Sequence, residues 1–398
     1  MTKGFVAFLG LLAFTGLVGC ARTVPNRVGI DPAANVAAPA LAGSAFLVAP
    51  VSAPSPLSAS VTPNDKARIT ILKTALEKEF LLQSTLTTYG AAPSFGGLRS
   101  RVVAFRERAG KVYLLEATQG HTVTNDLPIT LLLAEFPILA EDDTQVTIDF
   151  NAGMSNIFVA GDWYAHDFEG PAHERSSKSA KVRFSYIESA ALNDHNQLAI
   201  RQIAQLGGDE SSQNNESVEV KYYLSPYLPA ADFEPVRVTT PDVVGFFEVA
   251  PQLTSEGTTI IRAAHFHAKS QITYAVSANT PAEFKQAVKD GILYWNKVFG
   301  DERVKVVDAP AGVTAPDVNY NIVQWVPFDS AGFAFADAQM DPRSGETLHA
   351  QVYLTSAFAY LGKDRMRVAL KRQPPQPATP QARYSLAGFE RAHLCDYD

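Results

Sequence analysis

The stretch that decides the fold runs from Thr280 to Leu354. It opens with TPAEFKQAVKDGILYWNKVFG (residues 280–300), passes through NYNIVQWV (319–326) and closes on DPRSGETLHAQVYL (341–354). In the first segment Thr280 is a good helix N-cap, Pro281 suits the first helical position, and Glu283 is placed to complete a capping box. Phe284, Ala287, Val288, Ile292, Trp295, Val298 and Phe299 recur at three- and four-residue steps, the spacing of one apolar helix face. Gly300 is set to end the helix in a left-handed turn. RVKVVDA (303–309) and NYNIVQWV then read as strands around a Pro/Gly-rich loop. In the last segment Pro342 presets a turn, Gly345 supplies permissive backbone, and Asp341 can accept hydrogen bonds from the amides ahead of it. Beyond that turn Thr347, His349, Gln351 and Tyr353 share one strand face, and Leu348, Ala350, Val352 and Leu354 share the other. The expectation is an α+β domain over residues 271–398 in which the Thr347 face looks onto a cleft or water.

Working back from this stretch, residues 65–270 consist of short runs of strand character separated by turn residues, among them PITLLLAEFPIL, AKVRFSYIESA, SVEVKYYLSPYL and TTIIRAAHFHA. RVVAFRER and KVYLLEA, joined by Ala109-Gly110, form the clearest hairpin. This predicts an antiparallel β-rich domain. One helix is expected early, over ILKTALEKEF (71–80), where Leu72, Ala75, Leu76 and Phe80 share a face. Residues 21–64 are dominated by Ala, Pro, Ser and Val and read as a tether. The last forty residues are basic and then Pro-rich, with no terminal element expected.

Residues 1–20, MTKGFVAFLGLLAFTGLVGC, carry Lys3 ahead of an apolar run too short for a permanent membrane span. This is the pattern of an export signal. Its end, Leu17-Val18-Gly19-Cys20, resembles the bacterial lipobox, in which the signal is cut before a cysteine that then receives a diacylglyceryl group. The membrane is thus an expected partner through lipidated Cys20, and Ala21 in place of Asp favours the outer membrane. Acyl chains hold a soluble domain firmly because each buried methylene contributes roughly 0.8 kcal/mol.

Composition narrows the function. The 398 residues, 46% apolar, suffice for two buried cores, and a net charge of −7 without long single-sign blocks excludes a nucleic-acid surface. Cys20 and Cys395 are the only cysteines, which excludes a disulfide framework.

Taken together, YWNKVF on a capped helix, NYNIVQWV and DPRSGETLHAQVYL resemble the segment leading into the catalytic domain of large bacterial zinc-dependent metallopeptidases. KEFLLQSTL (78–86) and RSRVVAFRERAGKVYLLEA (99–117) share that family's flavour more loosely. The resemblance implies a lipid-anchored envelope protein with a β-rich N-terminal domain followed by an incomplete metzincin-like domain. It also implies that the strand carrying Thr347, His349, Gln351 and Tyr353 is the open edge along which a peptide or protein substrate lies. Zinc is the cofactor of a complete family member, held by an HExxH helix with the glutamate as general base. No HExxH occurs in this chain. His173-Glu174-Arg175-Ser176-Ser177 has Ser where the second ligand belongs, and His393 is followed by Leu394 and Cys395. The expectation is therefore no catalytic residue and no cofactor in this chain, which stops before the positions that would hold them. The alternative is a non-catalytic surface module that binds protein or peptide.

Three other clusters carry residue types suited to chemistry. His265 and His267 would share a strand face like an HxH metal pair, but no third ligand is identifiable among His121, His166, His173, His195, His349 and His393. GDWYAHDFEG (161–170) reads as a turn between strands, and GGDESSQNNE (207–216) as a solvated loop without the Asp/Asn spacing of a calcium site. Gly-rich phosphate loops, G-x-S-x-G elbows and Cys-His nucleophile patterns do not occur.

Overall fold

Short alternating runs pair into one large antiparallel sheet. The computed structural model describes residues 55–61, 67–88, 95–117, 132–157, 180–207, 217–238, 247–253, 258–327 and 334–372. Among them the first sheet comprises β1 (Leu57–Val61), β2 (Ala67–Leu72), β3 (Glu79–Thr88), β4 (Phe95–Arg108), β5 (Lys111–Glu116), β6 (Leu132–Glu141) and β7 (Gln145–Asp149). After a one-turn helix, α1 (Phe150–Gly153), it continues with β8 (Asn156–Ile157), β9 (Ala180–Leu192), β10 (Leu198–Gly207) and β11 (Ser217–Pro226). The strand order is β1-β2-β7-β6-β5-β4-β3-β11-β10-β9-β8. It curls until β1 lies against β9. Inward-facing residues then meet in one core that includes Leu57, Ile69, Phe80, Phe105, Phe136 and Tyr222. Phe136 and Phe150 stack within it at 5.3 Å.

The β4–β5 hairpin forms where the sequence places it, with Ala109 and Gly110 at φ 51° and 72°, as a two-residue turn that matches strand twist demands. Two expectations fail here. ILKTALEKEF is not a helix: it ends β2, passes through a 3₁₀ turn at Lys73–Ala75 and begins β3. Its helix-like spacing is equally served by two strands and a turn, because Ile71 and Phe80 both reach the core. The tether is also shorter than residues 21–64, since Leu57–Val61 pairs with β2 and buries Leu57.

A two-stranded ribbon, β12 (Phe247–Leu253) with β13 (Thr259–Ala264), leads to the second sheet. That sheet contains β14 (Ile272–Val276), then helices α2 (Ala282–Leu293) and α3 (Trp295–Phe299), then β15 (Val304–Asp308), β16 (Asn321–Val326), β17 (Ala334–Met340) and β18 (Thr347–Thr355), with α4 (Ser356–Arg372) following. The order is β15-β14-β16-β18-β17, parallel except for β17. Every residue of β16 is buried, as suits a central strand. Both sheets belong to one compact unit, Leu41–Asp398.

The helix ends as read, with Gly300 at φ 75° and its N–H on the Asn296 carbonyl. Its start differs. Thr280 is buried and shares a hydrogen bond with the Ser277 hydroxyl at 3.0 Å, so no capping box forms. The chain after Leu354 also differs, because α4 continues through seventeen residues where no element was expected. Among the described residues no helix is long and apolar enough to cross a membrane.

Candidate functional site

The expected substrate strand is not an edge. β18 lies between β16 and β17, and β17 is the outer strand. Thr347, His349, Gln351 and Tyr353 are all buried, so their face is not a wetted one. The strand alternates as its sequence predicts, with the polarity inverted, because this polar face packs toward the first sheet. Gln351 donates from Nε2 to the Asp317 carbonyl, and the Tyr353 hydroxyl donates to Gln351 Oε1 at 3.1 Å. Opposite His349 on β17, Gln339 donates to the Ser84 carbonyl of β3. His349 is 3% exposed, neither ring nitrogen has a hydrogen-bond partner among the described residues, and burial pushes its imidazole down to about 3.

The turn before β18 fastens the two sheets together. Asp341 Oδ1 accepts from the N–H groups of Arg343 (2.7 Å) and Ser344 (3.1 Å), as the sequence anticipates. Arg343 forks onto Glu79 of β3 and lies 4.7 Å above the Tyr227 ring. The Tyr227 hydroxyl donates to Asp341 Oδ2 at 3.1 Å. Burial, reinforced by the Asp341 charge, pushes that phenol well above its usual range. Glu79 and Tyr227 were invisible as partners in the sequence, because nothing local to either points to a turn more than a hundred residues away.

His265 and His267 do not converge on a metal. β13 ends at Ala264, so the pair lies past the strand. His265 donates from Nδ1 to the Phe266 carbonyl at 3.0 Å and stacks on Phe233 at 4.6 Å. His267 faces Asp232 at 3.1 Å, and its ring also packs on Phe233. Among the described residues no group of three His, Cys, Asp or Glu is placed to hold a metal ion. Burial raises the Glu346 carboxyl above its usual value, which fits a structural position beside this histidine turn. Cys20, Cys395, His121, His166, His173, His393 and the GDWYAHDFEG cluster lie outside the described residues.

A concave feature lies on the helix-bearing side of the second sheet. α2 and α3 cover its β14–β15 side, where Lys285 and Lys289 both reach Asp308 and Phe284 stacks on Trp325 at 5.3 Å. Yet no residue of α2 or α3 is buried. Between the helices and the sheet runs an open apolar cavity of about 880 Å³. Its floor is Ala336, Ala338, Ala350 and Val352, its helical wall includes Ala287, Gly291 and Ile292, and Phe247, Trp295 and Phe299 stand at its rim. Phe247 is 81% and Trp295 56% exposed. Exposed large apolar groups gathered around a cavity mark a surface that receives something. The apolar face expected on this helix is thus real, but it lines a groove instead of filling a core. No known protein family, curated protein or solved structure matches the chain.

Proposed function

We propose that this chain is a polypeptide-binding module that holds an extended, apolar segment in the groove between α2 and the β17–β18 side of the second sheet. The observation that carries this reading is the groove itself: an apolar trough whose alanine floor borders β17, a strand that pairs on one side only among the described strands. A guest strand can add to that edge by main-chain hydrogen bonds while alternate side chains enter the groove. This is the task the zinc-metallopeptidase resemblance assigns to this region, with the receiving edge moved from β18 to β17. These 398 residues carry no HExxH, so the peptide-bond chemistry of that family is not part of the proposal. Attachment to the outer membrane through lipidated Cys20 belongs to the same reading and rests on Leu17-Val18-Gly19-Cys20.

The test is fluorescence anisotropy with a short labelled peptide of alternating Leu and Thr. Saturable binding is expected, weakened at least roughly tenfold by Ala338→Arg, which puts a charge on the apolar floor. Binding that Ala338→Arg leaves unchanged, or none at all, sinks the reading.

A further inference from the structure

Among the described residues the second sheet has an uncovered half and α4 is an uncovered helix. Elements of one hydrophobic face are stable only when that face is packed, and helices on a parallel sheet pack as a layer. α2 supplies half of such a layer here. α4 emerges directly from β18, the strand that floors the groove, and exposes Tyr360, Leu361, Met366 and Val368. Its seventeen residues span about 25 Å at 1.5 Å per residue, close to the length of β18 at about 3.3 Å per residue. It already touches α2: Lys363 meets Glu283 at 3.2 Å and lies 4.6 Å above the Phe284 ring.

The groove side of α2 is built for close approach. Ala287 and Gly291 are small and exposed, and a Cβ at Gly291 would meet nothing within 4 Å. Charge agrees with shape. α4 carries Lys363 and Arg365, while Glu283 and Asp290 neighbour Ala287 on the helix surface and Asp337 lines the groove.

We propose that α4 is a displaceable strap that pivots at Ser356–Ala357 and lays the face carrying Leu361 and Val368 along the groove beside α2, so that a bound polypeptide must displace it. The structure presents the open arrangement. The strap rests on the groove being the polypeptide site only for its regulatory consequence; the contact itself is independent of that reading.

The test uses the full chain with Cys20→Ser and Cys395→Ser, into which Gly291→Cys with Val368→Cys is introduced, or Ala287→Cys with Leu361→Cys. A disulfide needs the two Cα atoms within about 7 Å. Mild oxidation is expected to give an intramolecular disulfide in at least one pair, seen by gel mobility and mass spectrometry. Failure of both pairs, or only intermolecular disulfides, overturns the strap. The second arm is Leu361→Glu with Val368→Glu. A strap closed nine-tenths of the time lowers apparent affinity roughly tenfold, so this variant is expected to bind the Leu/Thr peptide roughly tenfold more tightly. Unchanged affinity overturns displacement. A disulfide without peptide binding leaves the strap and removes the groove's proposed ligand; binding without a disulfide does the reverse.

Discussion

Arg343 and Glu79, 264 positions apart, face each other through two parallel hydrogen bonds, Nη1 to Oε2 at 2.7 Å and Nη2 to Oε1 at 2.6 Å. The fork ties the turn of the second sheet to β3 of the first, with Tyr227 beneath the guanidinium. Lysine keeps the charge and loses the fork. Because the Glu79 side chain is 43% exposed, water screens part of the attraction. Arg343→Lys is expected to lower stability by about 1 kcal/mol in urea unfolding, and a cycle with Glu79→Gln should recover most of that as coupling. The Glu79 carboxyl is held below its ordinary 4.5 by Arg343. The pair's contribution is therefore complete above that value and lost as pH falls through the folded-state value.

Two glycines should respond oppositely to alanine. Gly345 sits at φ 84°, and a Cβ there would stand 2.7 Å from the Ala263 carbonyl oxygen, a backbone atom that cannot step aside alone. Gly345→Ala is expected to cost about 2 kcal/mol or more. Gly291 is helical with open space around it, so Gly291→Ala should add about 0.5–1 kcal/mol. Thermal melts of the two variants check both signs.

Arg101 and Glu116 form an ion pair whose side chains are only 3% and 2% exposed, in neighbouring strands β4 and β5. Removing one partner strands a charge out of water. Arg101→Leu alone is expected to cost about 3–5 kcal/mol, whereas Arg101→Leu with Glu116→Leu should come back to within about 1–2 kcal/mol of the parent. Guanidinium unfolding of the three chains is the measurement; additive losses would contradict it.

What the sequence revealed and what it hid follow from the range of the forces involved. Turn chemistry at Ala109-Gly110, Gly300 and Asp341 is local, and each residue does what its neighbours imply. The alternation in β18 was equally legible. Which face was buried was not, because polarity usually marks the wet side, and here Gln351 and Tyr353 find partners inside. The apolar stripe of α2 is legible as well, but a stripe says only that water is disfavoured, not whether the covering partner is in place. Edge status is decided by β17 crossing outside β18, a pairing of distant segments that no local pattern encodes.

His349 carries the sharpest pH prediction. It is enclosed between the sheets and neutral, with its imidazole pushed by burial from 6.5 to about 3. Between these values the unfolded chain binds a proton at this residue and the folded chain does not, so falling pH favours unfolding across that window. The slope approaches about 1.4 kcal/mol per pH unit once the pH is well inside it. Burial leaves the charged form without solvation: both nitrogens lack hydrogen-bond partners among the described residues, and the amide nitrogen of the neighbouring Gln339 is spent on the Ser84 carbonyl. His349→Leu keeps the volume and removes the titration. Urea midpoints at pH 7, 5.5 and 4.5 should fall steeply for the parent and less steeply for the variant, the two curves converging or crossing on the acid side. Parallel curves would mean that water reaches His349 and that the seam between the sheets is wetter than its packing indicates.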